Sequence, residues 1–259
     1  MTRKDTESSP GVLDKVGAIL DVLAEHDDLA VAEIAERLDE PRSSIYRLVR
    51  SLQDQGLVEP AAARGRFRLG VKLFLLGSRV AARFDGRSQA LPLMKELHEE
   101  TEQTIFYCIR QGGDALCVER VDGRWFQSMA LKIGTTLPLH LGGASKALLA
   151  FAPREDWVAY VNAPSTAPQV PVASELDAAS FLAELEEIRE RGYATSDEDI
   201  VEGVCALGAP VFDHRGEVCA SLSISGLKPS ILGSNTDLNA RRIMAAAQEI
   251  SRQLGHSPP

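Results

Sequence analysis

Over residues 12–69 the apolar spacing keeps a helical period through three segments and then switches to alternation, and no other feature limits the fold so strongly. Val12, Val16, Ile19, Leu20 and Leu23 share one helical face, and His26-Asp27-Asp28 closes that segment. A shorter helix follows, with Val31, Ile34, Ala35 and Leu38 inward and Glu33, Glu36 and Arg37 outward. Asp39-Glu40-Pro41 breaks the chain. Pro41 suits the first turn of a third helix, where its missing N–H leaves nothing unpaired. That helix buries Ile45, Leu48, Val49 and Leu52, and Gly56 suits the left-handed position after it. Leu57-Val58-Glu59 and Arg66-Phe67-Arg68-Leu69 read as strands about a turn at Ala61–Gly65. Three helices and a hairpin make a winged helix-turn-helix over residues 11–70.

The chain of 259 residues has room for two domains at roughly 100–200 residues each. Residues 1–10 are polar, hold no periodic signal and read as a disordered tail. Residues 71–86 carry one more apolar helical face, including Val71, Phe74 and Leu76; it is too short for a domain and reads as a linker helix that packs on a partner. Residues 87–259 mix both element types. Helices are expected over 88–102, 144–151, 153–160, 177–191 and 236–254, and strands near 104–110, 115–121 and 126–132. Val204–Phe212 and Glu217–Ser225 form a hairpin about Asp213-His-Arg-Gly216. The fold class is a mainly α winged helix-turn-helix joined by a linker helix to an α/β (α+β) domain.

The formal net charge of −9 argues against a polyanionic partner until it is divided along the chain. Residues 41–70 hold six arginines against Asp54 and Glu59, a local +4 that leaves −13 elsewhere. A compact basic patch on an acidic protein can meet DNA while the rest stays solvated. Arg42, Ser43, Ser44, Tyr46, Arg47 and Arg50 occupy the start and polar face of the third helix, the part that enters a major groove. Arginine can take two guanine acceptors at once. On the wing, Arg64 lies in the turn, and Arg66 and Arg68 alternate with Phe67 and Leu69, which points both toward solvent, phosphates or a minor groove.

Other chemistry finds little support. No nucleophile elbow, P-loop or HExxH motif is present, and the five histidines show no metal-ligand spacing. No catalytic residue, metal or cofactor is expected. Cys108, Cys117, Cys205 and Cys219 form no CxxC pair and read as reduced core thiols. No run of about 18 apolar residues is present and the start lacks an apolar signal region, so a cytoplasmic protein without a membrane span is expected.

The runs Leu13-Asp-Lys-Val-Gly-Ala-Ile-Leu, Ile34-Ala-Glu-Arg-Leu and Pro41-Arg-Ser-Ser-Ile-Tyr-Arg-Leu-Val-Arg-Ser-Leu, with Gly56-Leu-Val, resemble the DNA-binding domain of IclR-type regulators. Leu137-Pro-Leu-His140 with Gly143-Ala-Ser-Lys146, and Gly192-Tyr-Ala through Ser223-Ile-Ser-Gly226, resemble the effector domain of that family. The resemblance spans nearly the whole chain. It implies a GAF-like effector domain, homodimers through the DNA-binding domains and linker helix that often pair into homotetramers, and control of operons for catabolism of carboxylic or aromatic acids. Repressor and activator both fit.

Gly142, Gly143 and Ala144 open the helix that contains Lys146, and free N–H groups at a helix start attract a carboxylate. In the family the small residues at Gly143 and Ala144 bind that carboxylate. Ser223 and Ser225 share one strand face and match serines of the family pocket. Ala206 stands where some acid-sensing relatives place a polar or thiol side chain. The Ser196-Asp197 loop matches a ligand contact, with Ser196 at the contacting position. Leu131 and Leu139 would supply apolar walls. The glycines can equally make only a turn, and the serines can be satisfied by backbone. Lys146 reads more readily as a structural ion pair, and His140, Trp125 and Trp157 as packing residues.

Overall fold

The structure, a computed structural model, describes residues 11–81, 86–124, 131–163 and 177–257. The chain divides into two compact units, Met1–Phe84 and Asp85–Pro259. The tail 1–10, Trp125 and positions 126–130 of one expected strand lie outside the described residues; Leu131 and Lys132 are not in a strand.

In the first unit, α1 (Val12–Ala24), α2 (Val31–Arg37) and α3 (Arg42–Asp54) are the three expected helices. The Asp14 carboxylate accepts the Gly11 N–H at 2.8 Å and that of Glu33 accepts the Ala30 N–H at 2.7 Å, so α1 and α2 each start on an acid in the first turn. A strand absent from the sequence reading, β1 (Leu29–Ala30), joins β2 (Val58–Pro60) and β3 (Arg66–Leu69) in a sheet ordered β1-β3-β2. Two residues show no alternation; only the pairing of Leu29 with Phe67 and Ala30 with Arg66 reveals the strand. Ile19, Ile34, Ile45 and Val49 are fully buried between helices and sheet. The linker helix is described as α4 (Val71–Ala81), with Val71, Leu75 and Leu76 exposed, and Gly86 already opens the next helix.

The second unit runs α5 (Gly86–Thr101), β4 (Thr104–Gln111), β5 (Asp114–Val121), β6 (Thr136–Pro138), α6 (Gly143–Ala150), α7 (Arg154–Asn162) and α8 (Ala178–Arg191). It continues with β7 (Ala194–Asp197), β8 (Val204–Phe212), β9 (Val218–Leu227), α9 (Lys228–Ile231) and α10 (Thr236–Gln253). The six strands form one antiparallel sheet ordered β6-β5-β4-β9-β8-β7. β6 and β7 are short edge strands that the periodicity did not announce.

Both sheet faces are covered. On β9, Ala220, Leu222 and Ile224 face the core shared with α5 and α10. Ser221, Ser223 and Ser225, out of phase by one residue, face the side where α6 and α8 pack. Every residue of α6 is buried. Its first residue rests on β8: a Cβ added at Gly208 would lie 2.1 Å from the Gly143 carbonyl oxygen, and one at Gly143 would lie 2.9 Å from the Gly208 nitrogen. Glycine is required at both because backbone meets backbone. Gly208→Ala is expected to destabilise the second unit by at least about 2 kcal/mol, read as a lower urea midpoint by tryptophan fluorescence.

Candidate functional site

Arg42, Ser43, Tyr46, Arg47 and Arg50 lie at the surface of α3 and Ser44 is half-buried. No acid stands in the first turn of α3 and no side chain caps it, so the positive end of the helix stays uncompensated. Arg42 and Arg47 meet no carboxylate among the described residues, and Arg50 reaches only Gln53 Oε1, at 3.5 Å. This leaves a basic, hydrogen-bonding helix face open to a polyanion.

The wing departs from the sequence reading. Arg64 is exposed at the turn as expected. Arg66 is turned inward: its guanidinium pairs with the Asp28 carboxylate, donates to the Asp28 carbonyl at 2.9 Å and meets Glu33 at 3.0 Å. The Ala30 N–H and the Arg66 cation hold the Glu33 carboxyl below its ordinary pKa. Arg68 pairs with Glu59 at 2.8 Å. Arg66 is therefore held by carboxylates of its own domain, whereas Arg68, with its side chain 55% exposed, faces solvent as expected while paired with Glu59. For Arg66 the cause is β1, which places Asp28 beside β3 although 38 residues separate Asp28 from Arg66.

In the second unit a pocket lies between the start of α6 and the sheet. Gly142, Gly143, Ala144 and Ser145 form one end; Ser196, Ala206, Ser223 and Ser225 line the strand side. Phe106, Leu131, Leu137, Ile200, Val201 and Val204 supply apolar wall, and Cys205 adds a thiol-bearing position. None of these side chains is charged. Of the expected residues, Leu139 and Asp197 are not in the lining. Leu139 is fully buried in the core, and Asp197 pairs with Lys228 at 2.8 Å and accepts from the Cys205 thiol at 3.2 Å. Burial and Asp197 push that thiol up to about 12. Phe106, Leu137, Ser145, Ile200, Val201, Val204 and Cys205 were missed. Phe106 had a usable signal, since strand pairing sets it opposite Ser223, but the register is a tertiary fact.

Several polar atoms of this cavity lack protein partners among the described residues. Lys146 N donates to the Gly142 carbonyl at 3.1 Å, and Gly142 N to Asp199 Oδ2 at 3.3 Å. The N–H groups of Gly143, Ala144 and Ser145 meet no acceptor among the described residues. Ser225 donates to the Cys205 carbonyl at 3.2 Å, but the hydroxyls of Ser145, Ser196 and Ser223 have no protein partner among the described residues, although each residue is at most 3% exposed. Buried donors are otherwise paired in folded proteins.

Around the cavity the bland readings hold. Lys146 is an ion-pair partner, 2.8 Å from Asp199 and 2.9 Å from Glu184. Burial opposes its charge, and the two carboxylates more than offset that, so its pKa stands above the ordinary lysine value. His140 shares a 2.6 Å hydrogen bond with the Tyr160 hydroxyl and is held below its ordinary pKa by burial and by the Lys146 cation. Trp157 is a packing residue, its indole N–H donating to the Leu149 carbonyl at 2.7 Å. Cys219, expected in the core, lies at the surface.

A basic-faced winged helix-turn-helix and a unit with an uncharged pocket that holds unpaired donors define a class: a DNA-binding regulator that responds to a small molecule. The family is reached by comparison. The IclR helix-turn-helix domain matches residues 12–61, and the bacterial transcriptional regulator IclR C-terminal domain matches residues 78–252. The chain belongs to the IclR family of bacterial transcriptional regulators and is a regulator, not an enzyme. It is 30% identical over 237 residues to the transcriptional repressor AllR of Salmonella typhimurium, covering 89% of this chain and 84% of that protein. It is similar to the crystal structure of Thermotoga maritima IclR, with a TM-score of 0.77, 29% identity, and 94% and 98% of the two chains covered. The fold also matches an IclR homolog from Microbacterium hydrocarbonoxydans complexed with 4-hydroxybenzoate, with a TM-score of 0.81, 22% identity, and 95% and 100% covered.

Arg66→Ala is expected to lower the thermal midpoint of the first unit and speed amide exchange in β3. Arg42→Ala, at an exposed site, should leave stability within about ±0.5 kcal/mol. Equal effects of the two would contradict the assigned partners.

Proposed function

We propose that this chain represses an operon for catabolism of a carboxylic or aromatic acid, and that a small organic acid bound in the cavity relieves the repression. The observation that carries the reading is the set of three N–H groups and three serine hydroxyls without protein partners in one uncharged cavity. A carboxylate takes the N–H groups at the start of α6, where the helix end favours negative charge. The hydroxyls of Ser196 and Ser223 take oxygens on the ligand body, and Phe106, Leu131 and Ile200 cover its apolar part. The repressor name of AllR and the 4-hydroxybenzoate bound by the Microbacterium homolog support this reading.

Arg42, Ser43, Tyr46, Arg47 and Arg50 read the major groove of double-stranded operator DNA, and Arg64 approaches phosphate. Operator binding needs two recognition helices at fixed spacing, so a second copy of the chain covers the exposed apolar residues Val12, Leu13, Val71 and Leu75. These dimers can pair into tetramers. The site of action is the cytoplasm, where the DNA is; no helix of the described residues is long and apolar enough to cross a membrane. A coupling of about 1–3 kcal/mol between cavity and DNA would change operator affinity about 5–150-fold.

Two outcomes check this. DNA from the chain's own promoter region should be bound at low ionic strength and released by the effector. In that assay Arg47→Ala should lose discrimination among base changes by about 1–3 kcal/mol, and Arg64→Ala should flatten the salt slope by about one. Ser223→Ala should weaken effector binding by about 0.5–1.5 kcal/mol in calorimetry with the thermal midpoint of the free protein unchanged or raised.

A further inference from the structure

Beside the unpaired N–H groups of α6 the protein holds a carboxylate of its own. Asp199 Oδ2 accepts from the Gly142 N–H at 3.3 Å and from Lys146 Nζ at 2.8 Å. The aspartate is largely buried and lies in the loop 198–203, whose Ile200 and Val201 line the cavity. A Cβ on Gly142 would stand 3.1 Å from Ile200 Cδ1, so the loop rests directly on the helix start. At its base the loop is fixed separately: Glu198, with φ of +63°, accepts the Gly203 N–H at 3.0 Å and pairs with Lys228 at 2.6 Å.

The charges of this cluster do not cancel. Lys146 faces both Asp199 and Glu184, so one cation meets two carboxylates and the sum is −1. His140 adds no fixed positive charge, because burial and Lys146 favour its neutral form, and Asp114 also faces it. A ligand carboxylate at the N–H groups of residues 143–145 would stand near Asp199, which lies outside the pocket lining and holds the neighbouring Gly142 N–H. Like charges a few ångströms apart in a poorly solvated site oppose each other strongly.

We propose that Asp199 is the cavity's own competitor for an effector carboxylate: it holds the first N–H of the α6 start, latches the 198–203 loop across the pocket, and sets the affinity for anionic ligands. This rests on the effector reading above, to which Ser145, Ser196 and Ser223, buried without protein partners, point independently of the helix end. Asp199 acts as a positioning residue. An anionic ligand binds against its charge, whereas a neutral ligand of the same shape does not.

The test pairs acids with their primary amides on the full chain: benzoate with benzamide, 4-hydroxybenzoate with 4-hydroxybenzamide, lactate with lactamide. Affinities come from calorimetry, and rates from stopped-flow fluorescence. Asp199→Asn keeps an oxygen for both donors and removes the charge. It should raise the acid-to-amide affinity ratio of the best-bound pair about tenfold. Asp199→Ala should raise the same ratio and also speed both association and dissociation, because the loop is untied. A general loss of packing would weaken acid and amide alike and leave the ratio where it was. A ratio unchanged within about twofold in both variants overturns the role of Asp199 while the effector site stands. If the unaltered protein binds none of the acids, the effector reading fails and this proposal with it.

Discussion

Gly143 and Gly208 bring the start of α6 onto β8 with backbone against backbone, and the ligand-binding unit is arranged around that contact. A side chain at either position would lift the helix off the sheet. With the contact made, every residue of α6 is buried, and its first N–H groups do not lie on the outer surface as those of a surface helix do. They open instead into a cavity whose floor is the serine face of β9. The same burial encloses Lys146, 9% exposed, which the interior tolerates only because Asp199 and Glu184 meet it. One close approach therefore sets the cavity's shape, its polar end and the ion cluster behind it.

In the first unit the deciding quantity is which arginines already have carboxylates. Six arginines are concentrated in residues 41–70, but Arg66 and Arg68 are committed to Asp28, Glu33 and Glu59. The charge available to a polyanion is therefore concentrated on α3 and at Arg64. Arg66 instead fastens β3 to the residues just before and within α2, which holds the wing in place for Arg64. Partly exposed ion pairs contribute little stability individually. Their value here is positional.

Local signals carried the helices and the long hairpin, because a face of Ile19, Leu23 and their neighbours can be read from spacing alone. The alternation of serines on β9 was legible for the same reason, and Ser223 and Ser225 both line the cavity. Two-residue β1 and the edge strands β6 and β7 were not legible, since short strands have no period. Their absence explains the errors at the sites. Without β1, Asp28 had no reason to meet Arg66. Without the register of β7, Asp197 and Ser196 could not be told apart as outward and inward, and Ser196 pairs with Ala206 while Asp197 turns to Lys228. Leu139 was misassigned because an apolar residue near a glycine turn looks the same whether it lines a cavity or fills a core.

Unpaired polar groups are concentrated on this one face. Elsewhere in the unit buried hydroxyls and amides find partners: Ser251 donates to the Ala247 carbonyl and accepts from Phe212 N, and Asn239 donates to the Ser230 and Ile231 carbonyls. On the α6 side of the sheet, Ser223 and Ser196 are without protein partners among the described residues, and the fully buried Ser221 Oγ, next along β9, has none either. Of these hydroxyls only Ser221 Oγ is closed off without a partner, at a cost of about 1–3 kcal/mol, whereas those of Ser145, Ser196 and Ser223 belong to residues that line the pocket. A ligand that satisfies the pocket's donors stabilises the bound fold by mass action. Asp199 satisfies part of the helix end through the Gly142 N–H and is paired with Lys146.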